Sequence, residues 1–115
     1  MKVLDGLTRL TRADQDGDRA LASLIRGRKL GLLAHPASVD AEVSHAEQVL
    51  PRHGALLSAI FGPEHGYSGQ AQYMVGVAST AGAVPVYSLY GDSFEDLSPT
   101  QAQLAGLDAV VVDLQ

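Results

Sequence analysis

Four short apolar runs are spaced along the chain and are separated by more polar segments. They read KLGLLAH at residues 29–35, ALLSAIF at 55–61, VPVYSLY at 84–90 and AVVVDLQ at 109–115. The first run is too short and too uniformly apolar to be a surface helix, and the last is rich in β-branched residues. The pattern therefore predicts four β-strands, of which the first two are buried.

Helical signals lie between these runs. Three apolar residues at i, i+3 and i+4 predict a short helix over residues 18–26, namely Leu21, Leu24 and Ile25. Ser44, with Glu47 three residues later, fits a capping box that begins a second helix. Pro51 is expected to end or kink that helix, because proline lacks the backbone N–H that a helix interior needs.

A third helix is predicted between the last two strands. Ser98 is expected as its N-cap, with Pro99 at the first position and Gln101 completing the box, and Gly106 follows its end. Strands that alternate with helices in this way are typical of βαβ units. We therefore expect an α/β fold, a Rossmann-like parallel sheet of about four strands with flanking helices.

Polar residues stand where the predicted strands end. In a parallel sheet these ends share one edge, which is where α/β proteins bind their ligands. The second strand runs into the segment FGPEHGYSG, and residues 62–83 have no clear periodicity, which is typical of a functional or disordered loop. The residues expected at this edge are His35, Glu64, His65, Tyr90, Asp113 and Gln115.

Glu64 has two interpretations on the residues alone. It is either a turn carboxylate bound to neighbouring amides, or a carboxyl group near Phe61 and Tyr67 whose pKa is raised enough to donate a proton. The acidic residues of GDSFED, at 91–96, are expected to form a solvated loop instead.

Composition narrows the classes of function. The chain has 115 residues, 46% of them apolar and 18% charged, as in one folded domain or less. A net charge of -5 argues against a nucleic-acid partner. The absence of cysteine excludes disulfides, thiolate metal sites and cysteine nucleophiles. No segment reads as a signal peptide or a membrane span, so we expect no membrane partner. The compartment stays open, with a cytoplasmic location as the default and a periplasmic or secreted one as the alternative for relatives.

Other binding motifs fail on their spacing. DQDGD at residues 14–18 resembles the start of a calcium loop, but Arg19 and Ile25 stand where glycine and glutamate are needed. The glycines of the second strand's loop match neither GxGxxG nor a Walker A motif, and no GxSxG elbow exists. Adjacent Glu64 and His65 diverge in most backbone conformations, so we expect no metal site.

Four blocks together resemble a known family. KLGLLAHPASVD, FGPEHGYSGQAQYMVGV, VPVYSLYG and GLDAVVVDLQ are similar to the exo-β-N-acetylmuramidase (NamZ-like, DUF1343) family, in order from about residue 29 to 115. Members are glycoside hydrolases that remove N-acetylmuramic acid from the non-reducing ends of peptidoglycan fragments during cell-wall turnover. The family has a Rossmann-like N-terminal domain and a C-terminal domain, with the active site in the cleft between them. The resemblance thus implies that residues 1–115 are the incomplete N-terminal part of the catalytic domain, without the C-terminal domain.

The resemblance also implies roles for single residues. Glu64 in PEHG is expected as the catalytic acid/base, His65 as the residue that orients it or touches the sugar, and Asp113 as the second carboxyl group. The family often has Asn where this chain has His35. No cofactor is implied, and the implied partner is a peptidoglycan-derived muramyl saccharide. The expected substrate-binding residues are His35, Gly66, Gly69, Tyr90 and Gln115.

A different class of function also fits the pattern. The chain would then be a non-catalytic α/β module that binds a sugar or a partner protein. In either case, completion of the cleft is expected from a C-terminal domain or from another chain, such as a second copy in a homo-oligomer.

Overall fold

The structure, a computed structural model, describes residues 3–13, 19–63, 84–90 and 92–114. All four apolar runs form strands, which confirms the expected α/β class. The strands are β1 (Lys29–Ala34), β2 (Leu56–Pro63), β3 (Val86–Leu89) and β4 (Ala109–Asp113). The helices are α1 (Gly6–Thr11), α2 (Arg19–Ser23), α3 (Ala46–Arg52) and α4 (Gln101–Leu104), with a 3-10 helix at Phe94–Leu97.

The four strands form one parallel sheet in the order β3-β2-β1-β4. From β1 the chain adds β2 and then β3 on one side of the sheet. It then returns and adds β4 on the other side of β1. A reversal of this kind is the topological switch point, where open α/β sheets form a ligand crevice at the carboxyl ends of the strands. Here that point lies between the ends of β1 and β4.

Alternate residues of β1 face two different layers. Leu30, Leu32 and Ala34 are fully buried and belong to the core shared with α1, α2 and α3. Gly31 faces the other side, where an added Cβ would lie 2.8 Å from Leu107 Cδ1 and 3.1 Å from the Phe61 ring. Leu107 lies three residues after the end of α4, so the end of the connection from β3 to β4 lies on the face opposite to α3. Right-handed crossovers on the two sides of β1 require this arrangement.

Two predicted helix starts are wrong by one or two residues. The N-cap of α3 is His45 rather than Ser44, and that of α4 is Thr100 rather than Ser98. At α4, Thr100 and Gln103 form the capping box, a second match to the same Ser/Thr-x-x-Gln spacing. Ser98 (φ -125°, ψ 145°) and Thr100 (φ -76°, ψ 160°) are both extended, so helical backbone begins only at Gln101.

The structure also shows where the predicted helices end, and it contains one helix that was not predicted. Pro51 lies within the last turn of α3 rather than ending it. Gly54 and Gly106 follow their helices with φ of +84° and +82°, a backbone conformation that favours glycine. The sequence pattern did not predict α1, although Asp5 caps it by accepting the Thr8 N–H at 2.8 Å. The predicted start of α2 and the calcium-like segment 14–18 lie outside the described residues.

A buried carboxylate ties α1 to the loop between β1 and α3. Asp40 accepts the Thr11 hydroxyl at 2.6 Å and the N–H groups of Glu42 and Ser44 at 3.0 and 2.8 Å. Burial by itself raises the pKa of Asp40, but these hydrogen bonds and the positive charge of Arg52 hold it below the ordinary value of 3.8. The loop that follows β1 is thereby anchored from the helix side.

Candidate functional site

Three of the residues predicted for the site lie in the described part of the chain, at the carboxyl edge of the sheet. His35 follows β1, Tyr90 follows β3 and Asp113 is the last residue of β4. Glu64 comes directly after Pro63, the last residue of β2. The other predicted positions lie outside the described residues, and their roles stay predictions: Glu64, His65, Gly66, Gly69 and Gln115.

Ser38 bridges the two strands that flank the switch point. Asp113 is level with Ala34 in the pairing of β4 with β1. The Ser38 hydroxyl donates to the backbone carbonyl of Asp113 at 2.6 Å and accepts the N–H of His35 at 3.1 Å. Ser38 is completely buried. One side chain thus holds the ends of β1 and β4 together, next to the two polar side chains predicted for this edge.

His45 is a buried part of this edge that the sequence pattern did not identify. Its Nδ1 accepts the N–H of Glu47 at 3.1 Å, which caps α3. Its Nε2 lies 2.9 Å from the backbone carbonyl of His35. A carbonyl only accepts, and Nδ1 is already an acceptor, so the ring is the neutral tautomer with its proton on Nε2.

The electrostatics of His45 agree with this tautomer. Burial lowers the pKa of His45 below its ordinary value of 6.5, although the hydrogen bond to His35 and the negative charge of Asp113 raise it. A second proton would have to go to Nδ1, which would abolish the cap on α3. The folded chain therefore favours a neutral ring at this position.

The His35 ring makes the same kind of hydrogen bond within its own loop as the His45 ring does at α3. Its Nδ1 accepts the N–H of Ala37 at 3.1 Å, two residues ahead, just as His45 accepts from Glu47. The neutral ring then carries its proton on Nε2. Within the described residues no hydrogen bond involves that Nε2–H, and the side chain is half-buried. His35 can therefore act as a hydrogen-bond donor at the switch point.

Tyr90 is at the same edge but farther away. β3 and β4 are separated by β2 and β1, so their backbones are three strand spacings apart, roughly 14 Å. Tyr87, on the other hand, packs its ring against Phe61 at a centroid distance of 5.6 Å. A ligand that touches both Asp113 and Tyr90 must therefore span most of the sheet edge.

A cavity of about 460 Å³ lies beside β4, between the sheet and the N-terminal helices. Asp113 contributes to one end of it, but most of the lining is apolar. A sugar ring needs several polar partners for its hydroxyl groups, which this lining does not offer. The apolar residues that line it include Leu7, Leu10, Leu21, Ile25, Leu50 and Val111.

The described residues offer neither a metal-binding cluster nor a membrane-spanning helix. No group of three or more His, Asp or Glu side chains among them is placed to hold a metal ion. None of the helices in the same residues has the length and apolar character needed to cross a bilayer.

The stability of the chain should depend on pH through His45. Above pH 6.5, the ordinary pKa of this residue, the ring is neutral in the folded and unfolded chain alike. As the pH falls from that value toward the lower folded pKa, the unfolded chain takes up a proton that the folded ring does not. The free energy of unfolding therefore decreases over this interval.

His45→Asn is the variant that tests this dependence. Asparagine is a good N-cap but does not titrate, so the variant should lose less stability on acidification than the wild type. Urea unfolding followed by circular dichroism between about pH 8 and pH 5 measures the difference. His53→Asn, at the other end of α3, should keep the wild-type dependence. Equal pH dependence in wild type and His45→Asn would contradict the assignment.

Comparisons with known proteins agree on one family. Residues 30–115 match the sequence profile described as "Exo-beta-N-acetylmuramidase NamZ, N-terminal". The peptidoglycan beta-N-acetylmuramidase NamZ of Bacillus subtilis (strain 168) is 36% identical over 95 residues, which are 79% of this chain and 22% of that protein. The crystal structure of a DUF1343 family protein from Bacteroides fragilis NCTC 9343 aligns with a TM-score of 0.65 and 29% identity, over 90% of this chain and 24% of that one. This chain thus spans about a quarter of the length of these relatives.

Proposed function

Because this chain belongs to the NamZ exo-β-N-acetylmuramidase family, we propose that it supplies the N-terminal, Rossmann-like part of a glycoside hydrolase. The reaction is removal of N-acetylmuramic acid from the non-reducing ends of peptidoglycan fragments. Glu64 acts as the catalytic acid/base, and His65 orients it or contacts the sugar. Membership of the family supports the activity of a peptidoglycan muramidase in general. The roles of Glu64 and His65 are additional parts of the proposal.

The observation that carries the proposal is the strand order. Glu64 follows β2, His35 follows β1 and Asp113 ends β4, and these three strands are neighbours in the sheet. The three strands therefore end at one edge around the switch point, where this type of sheet binds ligands, and this supports the proposal. A glycosidase needs such a convergence, since its acid and its second carboxyl group must flank one bond.

Asp113 is the proposed second carboxyl group. The backbones of β2 and β4 are two strand spacings apart, roughly 9.5 Å, with β1 between them. Carboxyl pairs are about 5 Å apart in retaining glycosidases and about 6.5 to 9.5 Å apart in inverting ones. This strand spacing lies at the upper limit of the inverting range, in which a carboxylate activates water.

His35 is suited to the substrate rather than to proton abstraction. With Nδ1 occupied by the Ala37 N–H, the neutral ring presents a donor, which suits an oxygen of the sugar. N-acetylmuramic acid offers two kinds of acceptor group for this donor, its lactyl carboxylate and its acetamido carbonyl. Backbone N–H groups near Gly66 and Gly69, together with Tyr90 and Gln115, complete the proposed substrate contacts.

An exchange of segments tests the proposed function. Residues 30–115 replace the matching N-terminal segment of the Bacillus subtilis relative, which supplies the rest of the protein. This chimaera is expected to release N-acetylmuramic acid from the disaccharide MurNAc-GlcNAc, as measured by chromatography of the products. The unmodified relative is the positive control. A chimaera that folds, as judged by circular dichroism and thermal unfolding, yet releases no sugar would refute the proposal.

A second candidate function rests on the β4 strand. Within the described residues β4 pairs only with β1. Val112 in β4 and Leu114, the residue after its end, are 61% and 49% exposed. An apolar strand edge of this kind favours pairing with another polypeptide. The chain would then be a non-catalytic module that another chain completes. A stable complex that hydrolyses no muramyl saccharide would favour this function.

A further inference from the structure

Four hydrogen bonds hold His35, although this residue lies in a loop. Its N–H donates to the Ser38 hydroxyl at 3.1 Å, and its Nδ1 accepts the Ala37 N–H at 3.1 Å. Its carbonyl accepts the Ser38 N–H at 3.0 Å and the Nε2–H of His45 at 2.9 Å. Backbone and ring are therefore both fixed at the point where β1 ends.

The contact from His45 differs from the others in its origin. Ala37 and Ser38 are two and three residues from His35, so any tight turn brings them close. His45 is ten residues away and reaches His35 only because α3 begins beside the end of β1. Its ring is 7% exposed and close enough to Asp113 for that charge to act on it. His45 thus joins the start of α3 to the proposed site.

We propose that His45 is a positioning residue for His35. By holding the carbonyl of His35, it keeps the His35 ring in the turn that leaves Nε2–H as a donor to a carboxylate or carbonyl oxygen of the ligand. The identity of that ligand rests on the proposed function. The effect of His45 on the His35 ring does not, because it is observable without any ligand.

Two substitutions separate the capping role of His45 from the positioning role. The side-chain oxygen of asparagine occupies the place of Nδ1, so His45→Asn keeps the cap on α3 and loses the donor to His35. The longer glutamine carries its amide nitrogen near the place of Nε2, so His45→Gln keeps the donor and loses the cap. His53→Asn is the control substitution at a histidine at the far end of α3.

Nuclear magnetic resonance of the 115-residue chain with ¹⁵N-labelled histidine is the first measurement. In the wild type, at a pH where the rings are neutral, both His35 and His45 should show the Nε2–H tautomer. In His45→Asn the His35 ring should become a mixture of tautomers, and exchange of the Ala37 amide should accelerate roughly twofold to tenfold, while the Glu47 amide stays protected. In His45→Gln the exchange of the Glu47 amide should accelerate, while the Ala37 amide stays protected.

This crossed pattern distinguishes positioning from a general structural role. If His45 only stabilises the fold, either substitution accelerates both amides together and leaves the His35 tautomer unchanged. That result would overturn the proposal, and so would a wild-type His35 ring that carries its proton on Nδ1.

The second measurement is a titration of the same chain with N-acetylmuramic acid and with N-acetylglucosamine, which lacks the lactyl group. Concentrations up to about 100 mM cover the Kd of roughly 6 to 80 mM that one charge-assisted hydrogen bond implies. If the ¹⁵N chemical shifts of the His35 ring change with N-acetylmuramic acid alone, the ring binds the carboxylate. If they change with both sugars, the ring binds the acetamido carbonyl. His45→Asn should weaken either shift. No shift with either sugar would overturn the ligand class, while an inactive chimaera would bear only on the proposed function.

Discussion

Replacing Glu64 with Gln in the chimaera should lower kcat for release of N-acetylmuramic acid from MurNAc-GlcNAc by about 10² to 10⁴-fold, the usual contribution of a general acid. Glutamine has nearly the shape of glutamate but has no acidic proton, so the leaving oxygen departs without protonation. KM should change little, because the substitution affects the transition state more than the bound substrate. Initial rates over a range of disaccharide concentrations measure both constants.

The leaving group makes this prediction specific for an acid. A 4-nitrophenyl glycoside of N-acetylmuramic acid has a leaving group that departs without a proton, so Glu64→Gln should slow its bond cleavage much less. Glu95→Gln is the matched control, since this carboxylate is exposed in the 3-10 helix Phe94–Leu97. Unchanged turnover of the disaccharide in Glu64→Gln would remove Glu64 from the catalytic role, and an equal loss on both substrates would argue against a general acid.

Leu32→Ala should lower the free energy of unfolding by about 2–5 kcal/mol, the range for a leucine in a close-packed core. Leu32 is completely buried in the middle of β1 and belongs to the core shared with the N-terminal helices. A typical domain is stable by only about 5–15 kcal/mol, so this loss is a large fraction of the total. Urea unfolding followed by circular dichroism measures it.

Leu56→Ala is the matched control for this substitution. Leu56 is also in a strand but is 52% exposed, so its truncation leaves little cavity and should cost far less. Similar losses at the two positions would contradict the assignment of Leu32 to the core. Because β1 leads directly into His35, a chain weakened at Leu32 should also show faster exchange of the Ala37 amide.

The strands were predictable and the helix starts were not, for a physical reason. The run at 109–115 contains three consecutive β-branched valines, and it forms β4 at Ala109–Asp113. A helix start depends on one or two side-chain hydrogen bonds, and residues two positions apart can offer the same spacing. Ser98 with Gln101 and Thr100 with Gln103 both fit Ser/Thr-x-x-Gln, and the folded chain uses the second pair. α1, with six residues, offered too few apolar positions for a periodic pattern.

The candidate site was predictable only in part. Polar residues at strand ends identified His35 and Asp113, and the structure holds them together through Ser38, which accepts from the first and donates to the second. His45 had no comparable signal. Histidine is not a typical N-cap, and its Nε2 meets the His35 carbonyl only after the loop between β1 and α3 has folded.

The sequence alone determined which segments are strands and that their polar ends share one edge, because burial of short apolar runs and the direction of parallel strands are local consequences of residue order. PEHG and VYSLYG in combination also indicated the family. Only the tertiary structure decided the order β3-β2-β1-β4, and with it that β1 and β4 flank the switch point. It also decided the tautomer of His45, since both depend on contacts between residues far apart in the chain, which no local pattern encodes.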